Sequence, residues 1–266
     1  VEASADLRKR LIVALDYSDL QQALGLVEVL QPLVSHFKVG MELFYSQGPR
    51  AVEEIRRRGA DVFLDLKFHD IPNTVAGAAR AATRLGVSMF NLHVAGGMAM
   101  LREAVAAATA EARQLERERP LLLGMTLLTS IDERVLREEM GVPQRRPLEQ
   151  VLFWAELAQR AGLDGVVASA QEVRAIKERL GPAFLVVTPG IRFLEGTTGG
   201  FPRASTGAAG APLADDQKRV VTPAEAVAAG SDYLVVGRPI TRSPDPALAA
   251  KRVLEEMKKG WEERKR

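Results

Sequence analysis

The sequence predicts a (β/α)8 TIM barrel, a closed ring of eight parallel strands wrapped by helices. Two observations carry that prediction. Eight short apolar runs alternate with segments of helical periodicity along the chain. The runs are close to continuously apolar, as expected of strands covered on both faces. Eight such units in about 250 residues suit a closed barrel better than an open doubly wound sheet. No linker divides them, so residues 1–266 are expected to form a single domain.

The first strand, 11–16 (LIVALD), leads into a helix over 20–30, and the second, 37–41 (FKVGM), into a helix over 52–58. The third covers 62–67 (VFLDLK); Pro72 and Thr74 then open an Ala-rich helix over 75–85. A fourth strand at 89–94 (MFNLHV) precedes the longest helical pattern, 98–118. After the fifth, 121–128 (LLLGMTLL), Val135, Leu136 and Met140 have helical spacing, which predicts a short extra helix within 130–146 before the helix at 148–161. The sixth strand, 165–169, is followed by a helix over 171–180 and the seventh strand, 184–190. A helix over 223–229 leads to the eighth, 233–237, and a last helix starts near 246. Residues 193–218 are rich in Gly, Ala, Ser, Thr and Pro, lack periodicity and exceed an ordinary connector. The stretch is expected to be either a lid or a disordered insertion, and its place after the seventh strand favours a lid.

Bulk composition narrows the function. The 36 basic and 34 acidic residues leave a formal charge of +2 and are mixed along the helices, so no basic stripe invites nucleic acid. With no cysteine there are no disulfides, thiolate nucleophiles or Cys-based metal sites, and a reducing, cytoplasmic setting is expected. The N-terminus has no apolar signal core, and no run approaches the length of a membrane span. Only two of the nine lysines, Lys38 and Lys67, interrupt apolar strands. In a chain that otherwise prefers arginine, both are candidates for a compact ammonium.

The chemistry concentrates at the predicted C-terminal strand ends, where barrels of this kind carry their sites. Asp16 ends the first strand, Lys38 lies on the second, and Asp65 and Lys67 end the third, with Asp70 in the turn beyond. Strand alternation points Asp65 and Lys67 the same way. A salt-bridge network closing the barrel mouth is the structural alternative. It is disfavoured because burying several charges is costly. Across the barrel, TPGIR ends the seventh strand and VVGRPIT the eighth, placing Arg192 and Arg238 near glycines at the usual phosphate site of the fold. A phosphorylated small molecule is the expected ligand. His36, His69 and His93 lack metal-ligand spacing, although a carboxylate-bound Mg2+ stays open. Carboxylates flanking Lys67 favour its ammonium form, which opposes Schiff-base chemistry.

Taken together, LIVALD, FKVGMELF, FLDLKFHDIPNT, LLTS, TPGIR, DQKRVVTP and VVGRPIT resemble the orotidine 5'-phosphate decarboxylase family, in the family's order and over nearly the whole chain. The DLKFHDIPNT segment is the most specific. The resemblance implies a cofactor-free, metal-free decarboxylation of orotidine 5'-phosphate to UMP in pyrimidine biosynthesis. It implies that Asp65, Lys67 and Asp70 are catalytic, with Lys38 completing the network. Asp16 and Lys38 would hold the ribose, and Thr129 and Ser130 the pyrimidine. Gln217, Gly237, Arg192 and Arg238 would hold the phosphate. It further implies a homodimer with shared sites, Asp70 and Thr74 reaching into the partner's. The GGFPRASTGAAGAPLA stretch makes the loop before Gln217 longer than in most members. Two alternatives remain at this level: a Mg2+-dependent sugar-phosphate decarboxylase or aldolase of the same superfamily, and a non-catalytic nucleotide-phosphate sensor.

Overall fold

The computed structural model describes residues 7–192 and 221–265. Eight parallel strands close into a barrel in chain order: β1 (Leu11–Leu15), β2 (His36–Gly40), β3 (Asp61–Phe68), β4 (Met89–His93), β5 (Leu121–Met125), β6 (Gly165–Val167), β7 (Leu185–Thr188) and β8 (Tyr233–Val236). β8 returns to pair with β1. The predicted fold class is therefore the observed one. Around the ring lie α1 (Leu20–Leu30), α2 (Met41–Gln47), α3 (Arg50–Arg57), α4 (Pro72–Leu85), α5 (Gly97–Gln114), α6 (Pro147–Ala161), α7 (Ala170–Leu180), α8 (Pro223–Ala229), α9 (Arg238–Thr241) and α10 (Pro246–Arg264).

Two cores explain the continuous apolar runs. Residues such as Val13, Phe37, Leu64, Phe90, Val186 and Leu234 face outward and pack under the helices. Their neighbours Ile12, Phe63, Met89, Leu123, Val187 and Val235 face inward and fill the barrel. A strand with both faces buried has no polar alternation to show. Each fully buried side chain of this kind contributes roughly 1.5–3 kcal/mol relative to exposure, so the barrel is a packed support rather than a channel.

Several boundaries differ from the sequence reading for local reasons. The helix expected to reach residue 118 ends at Gln114, because Glu116 turns left-handed (φ 51°) and Arg117 N–H donates back to Ala112 O. Met41, read as a strand end, instead opens α2, a helix the sequence reading did not include. Between 130 and 146 there is a single π-helical turn, Val135–Glu139, closed by Met140 N–H donating to Val135 O. Leu136 is buried there, but Met140 is exposed. Spacing alone did not distinguish the two.

Candidate functional site

Alternation along each strand carries polar groups into the barrel mouth. On β1 the inward series Ile12, Ala14 continues to Asp16; on β3 Phe63 is followed by Asp65. Lys38 rises from β2 between them. Its Nζ lies 3.1 Å from Asp16 Oδ1 and 3.4 Å from Asp65 Oδ2, and Lys67 Nζ lies 2.6 Å from Asp65 Oδ1. The result is an alternating row, Asp16, Lys38, Asp65, Lys67. The Lys38 and Asp65 side chains are 12% and 13% exposed, against 58% for Asp16, so the middle of the row is shielded while its Asp16 end is wet. Gly40 leaves room for this row, since a Cβ there would stand 2.9 Å from Lys38 Nζ.

Asp65 and Lys67 converge, but not by simple alternation. From Leu64 to Phe68 β3 spends four residues where β4 spends two, Phe90 to Leu92. Lys67 sits in the resulting bulge with φ 53°, a left-handed conformation that costs a non-glycine residue roughly 1–2 kcal/mol. Its N–H donates to Asn91 Oδ1 at 2.8 Å, while Asn91 Nδ2 donates to Asp65 Oδ1 at 2.7 Å. Asn91 is completely buried. It went unnoticed in the sequence, where the available signal was a lone amide in the apolar run MFNLH.

The charges hold one another ionised. Burial alone would push the Asp65 carboxyl up, but Lys38 and Lys67 outweigh it and hold it below the usual carboxylate range. Burial pushes the Lys38 ammonium down, yet Asp65 and then Asp16 leave it raised overall. A depressed acid adds stability above its unfolded pKa and loses it as pH falls through the folded value. A raised base adds stability below its unfolded pKa and loses it as pH rises through the folded one. Between ordinary values of about 3.9 for Asp and 10.4 for Lys, Asp65 and Lys38 are therefore both charged. The stability difference between wild type and Lys38→Met should accordingly stay constant from about pH 5 to 9. A difference that titrates inside that interval would contradict this assignment of charge states.

Across the mouth, β7 and β8 supply the other wall. Gly190 adopts φ 81°, which suits glycine, and the chain then turns so that Arg192 borders the same cavity as Gly237 and Arg238. Ile191 bridges Val221 in parallel, and Arg192 N–H donates to Val221 O at 3.0 Å. The cavity encloses about 400 Å³ and has the acid–amine row on one side and the two arginines on the other. That volume falls in the range of small-molecule sites.

Comparison with known proteins agrees with this geometry. The profile of the Orotidine 5'-phosphate decarboxylase / HUMPS family matches residues 9–253. A Moorella thermoacetica protein named orotidine 5'-phosphate decarboxylase is 51% identical over 250 residues, covering 94% of this chain and 92% of that protein. The chain belongs to the orotidine 5'-phosphate decarboxylase family. A protein of the same name from Syntrophomonas wolfei is 47% identical over 250 residues, covering 94% of this chain and 98% of its own. The crystal structure of orotidine 5'-phosphate decarboxylase from Lactobacillus acidophilus superposes with a TM-score of 0.77 at 36% identity, over 93% of this chain and 98% of that one.

Of the residues that the family resemblance singles out, Asp16, Lys38, Asp65, Lys67, Thr129, Arg192, Gly237 and Arg238 border the one cavity. Ser130, beside Thr129, is exposed. Asp70 and Thr74 are exposed as well, and Asp70 lines a separate shallow depression with His69, Ile71, Pro72, Ala95 and Gly96. Its Oδ1 accepts from Ile71 N–H at 2.6 Å, and among the described residues it forms no ion pair. Gln217 and the lid expected at 193–218 lie outside the described residues. His93 is half-buried with its ring centroid 5.4 Å from that of His69; burial first, then His69 and Lys67, lower its pKa and favour the neutral ring. Among the described residues no group of three or more His, Asp or Glu is arranged to hold a metal ion, and no helix is long and apolar enough to cross a membrane.

Proposed function

We propose that this member of the family decarboxylates orotidine 5'-phosphate to UMP, with Lys67 as the proton donor and no cofactor. The supporting observation is the largely shielded Asp65 held between two lysines, facing two arginines across one cavity. Breaking the bond from C6 to the carboxylate leaves an electron pair in the plane of the pyrimidine, where the ring π system cannot delocalise it. An ammonium already in place stabilises that charge without reorganisation. As CO2 departs, a proton passes from Lys67 Nζ to C6 and the resulting amine recovers one from solvent. Asp65 aims the ammonium, and Lys38 and Asp16 meet the ribose hydroxyls. Thr129 and Ser130 meet the pyrimidine edge. Arg192, Arg238, Gly237 and Gln217 grip the phosphate, whose binding energy is best used in the transition state.

The active unit in this reading is a cytoplasmic homodimer of single-domain barrels. Asp70 and Thr74 are exposed beside Ile71, which is 68% exposed, and they would complete the partner's site. The deciding experiment is loss of orotidylate absorbance on adding the protein, with and without exhaustive EDTA treatment. Equal rates in both arms are expected. No turnover would sink the reading, and activity abolished by EDTA and restored by Mg2+ would favour a sugar-phosphate enzyme of the same fold.

A further inference from the structure

We infer that Asn91 is a positioning residue that sets both the backbone and the ammonium of Lys67, an inference that rests on the decarboxylase reading above. The bulge in β3 turns the Lys67 N–H away from regular pairing, and it is met by the Asn91 side chain instead. The same amide donates to Asp65 Oδ1, the oxygen that accepts from Lys67 Nζ. The contacts close a ring that runs from the Lys67 N–H through Asn91 and Asp65 to the Lys67 ammonium. Both ends of one residue are thereby tied to a single buried amide.

The ring requires a side chain that accepts and donates at once. Asparagine does so in one orientation only, because Oδ1 must face the Lys67 N–H and Nδ2 must face Asp65. Alanine can do neither. A carboxylate could accept from the N–H, but it would stand against Asp65 with no hydrogen to offer. A protonated carboxyl could fill both roles. Donation from Asn91 also fixes the rotation of the Asp65 carboxylate, which leaves Oδ2 for Lys38.

The test compares Asn91→Ala and Asn91→Asp with wild type. For Asn91→Ala, kcat should fall about a hundredfold, the scale of a misplacement near 1 Å, with the UMP dissociation constant within about threefold, because the phosphate and ribose contacts lie elsewhere. Amide hydrogen exchange at Lys67, which needs no substrate, should accelerate. In Asn91→Asp the kcat relative to wild type at each pH should fall as pH rises, because the introduced carboxyl can substitute only while protonated beside Asp65 and Lys67. A relative kcat independent of pH, or unchanged protection of the Lys67 amide in Asn91→Ala, would overturn the assignment. Parallel losses of UMP binding and kcat in a folded Asn91→Ala would do the same. If Asn91→Ala fails to fold, the pH profile of Asn91→Asp decides. If wild type itself does not turn over orotidylate, the decarboxylase reading fails, and exchange at Lys67 still tests the ring.

Discussion

Replacing Lys67 by alanine should lower turnover of orotidine 5'-phosphate by at least about a thousandfold, or about 4 kcal/mol in barrier, while UMP binding changes only a few fold. Two losses coincide in that variant, since the proposed mechanism makes the proton donor and the charge that stabilises the carbanion the same group. The scaffold around it should survive. Asp65 keeps Lys38 at 3.4 Å and the Asn91 amide at 2.7 Å, so its buried carboxylate retains two partners. The Lys67 backbone N–H keeps Asn91 Oδ1 whatever the side chain. Single-turnover kinetics with calorimetric titration of UMP separate the two effects. Turnover within tenfold of wild type would remove Lys67 from the chemistry.

Activity should return when inactive Lys67→Ala and Asp70→Ala chains are mixed and allowed to exchange subunits. If Asp70 serves the neighbouring site, a mixed dimer has one site carrying both lesions and one carrying neither. With equal amounts and random pairing, about half of the dimers are mixed, so about a quarter of all sites recover. Asp70 caps its own Ile71 N–H and faces solvent beside the barrel mouth, as a residue awaiting another surface would. No recovery after exchange has been verified, for instance with differently tagged chains, would place Asp70 at its own chain's site and end the shared-site proposal.

The barrel was legible because each strand is buried on both faces, so the apolar runs from Leu11 to Val236 stand out and their alternation with helices leaves little choice of topology. Lys38 and Asp65 were legible for the converse reason, as charges in places where burial is costly, and Asp16 as the charge that ends the first apolar run. The bulge around Lys67 was not. It depends on how β3 and β4 register, a non-local property that no single run expresses. Asn91 was overlooked with it, because an amide in a strand becomes informative only when the groups it bridges are known. Short-range competition explains the other misses. Met41 extends an apolar run yet begins a helix, and Met140 keeps helical spacing within a π turn that leaves it in solvent.

The bridge between Ile191 and Val221 has an evolutionary consequence. Because Arg192 is tied through its own N–H to Val221, two positions 29 residues apart in sequence are fixed neighbours in space. Lengthening or shortening what lies between them alters closure entropy by only about 0.6 kcal/mol per doubling. The barrel therefore has a junction at which the intervening length can change while the Arg192 backbone stays in register with the wall it belongs to, provided that Gln217 of the proposed phosphate grip is kept.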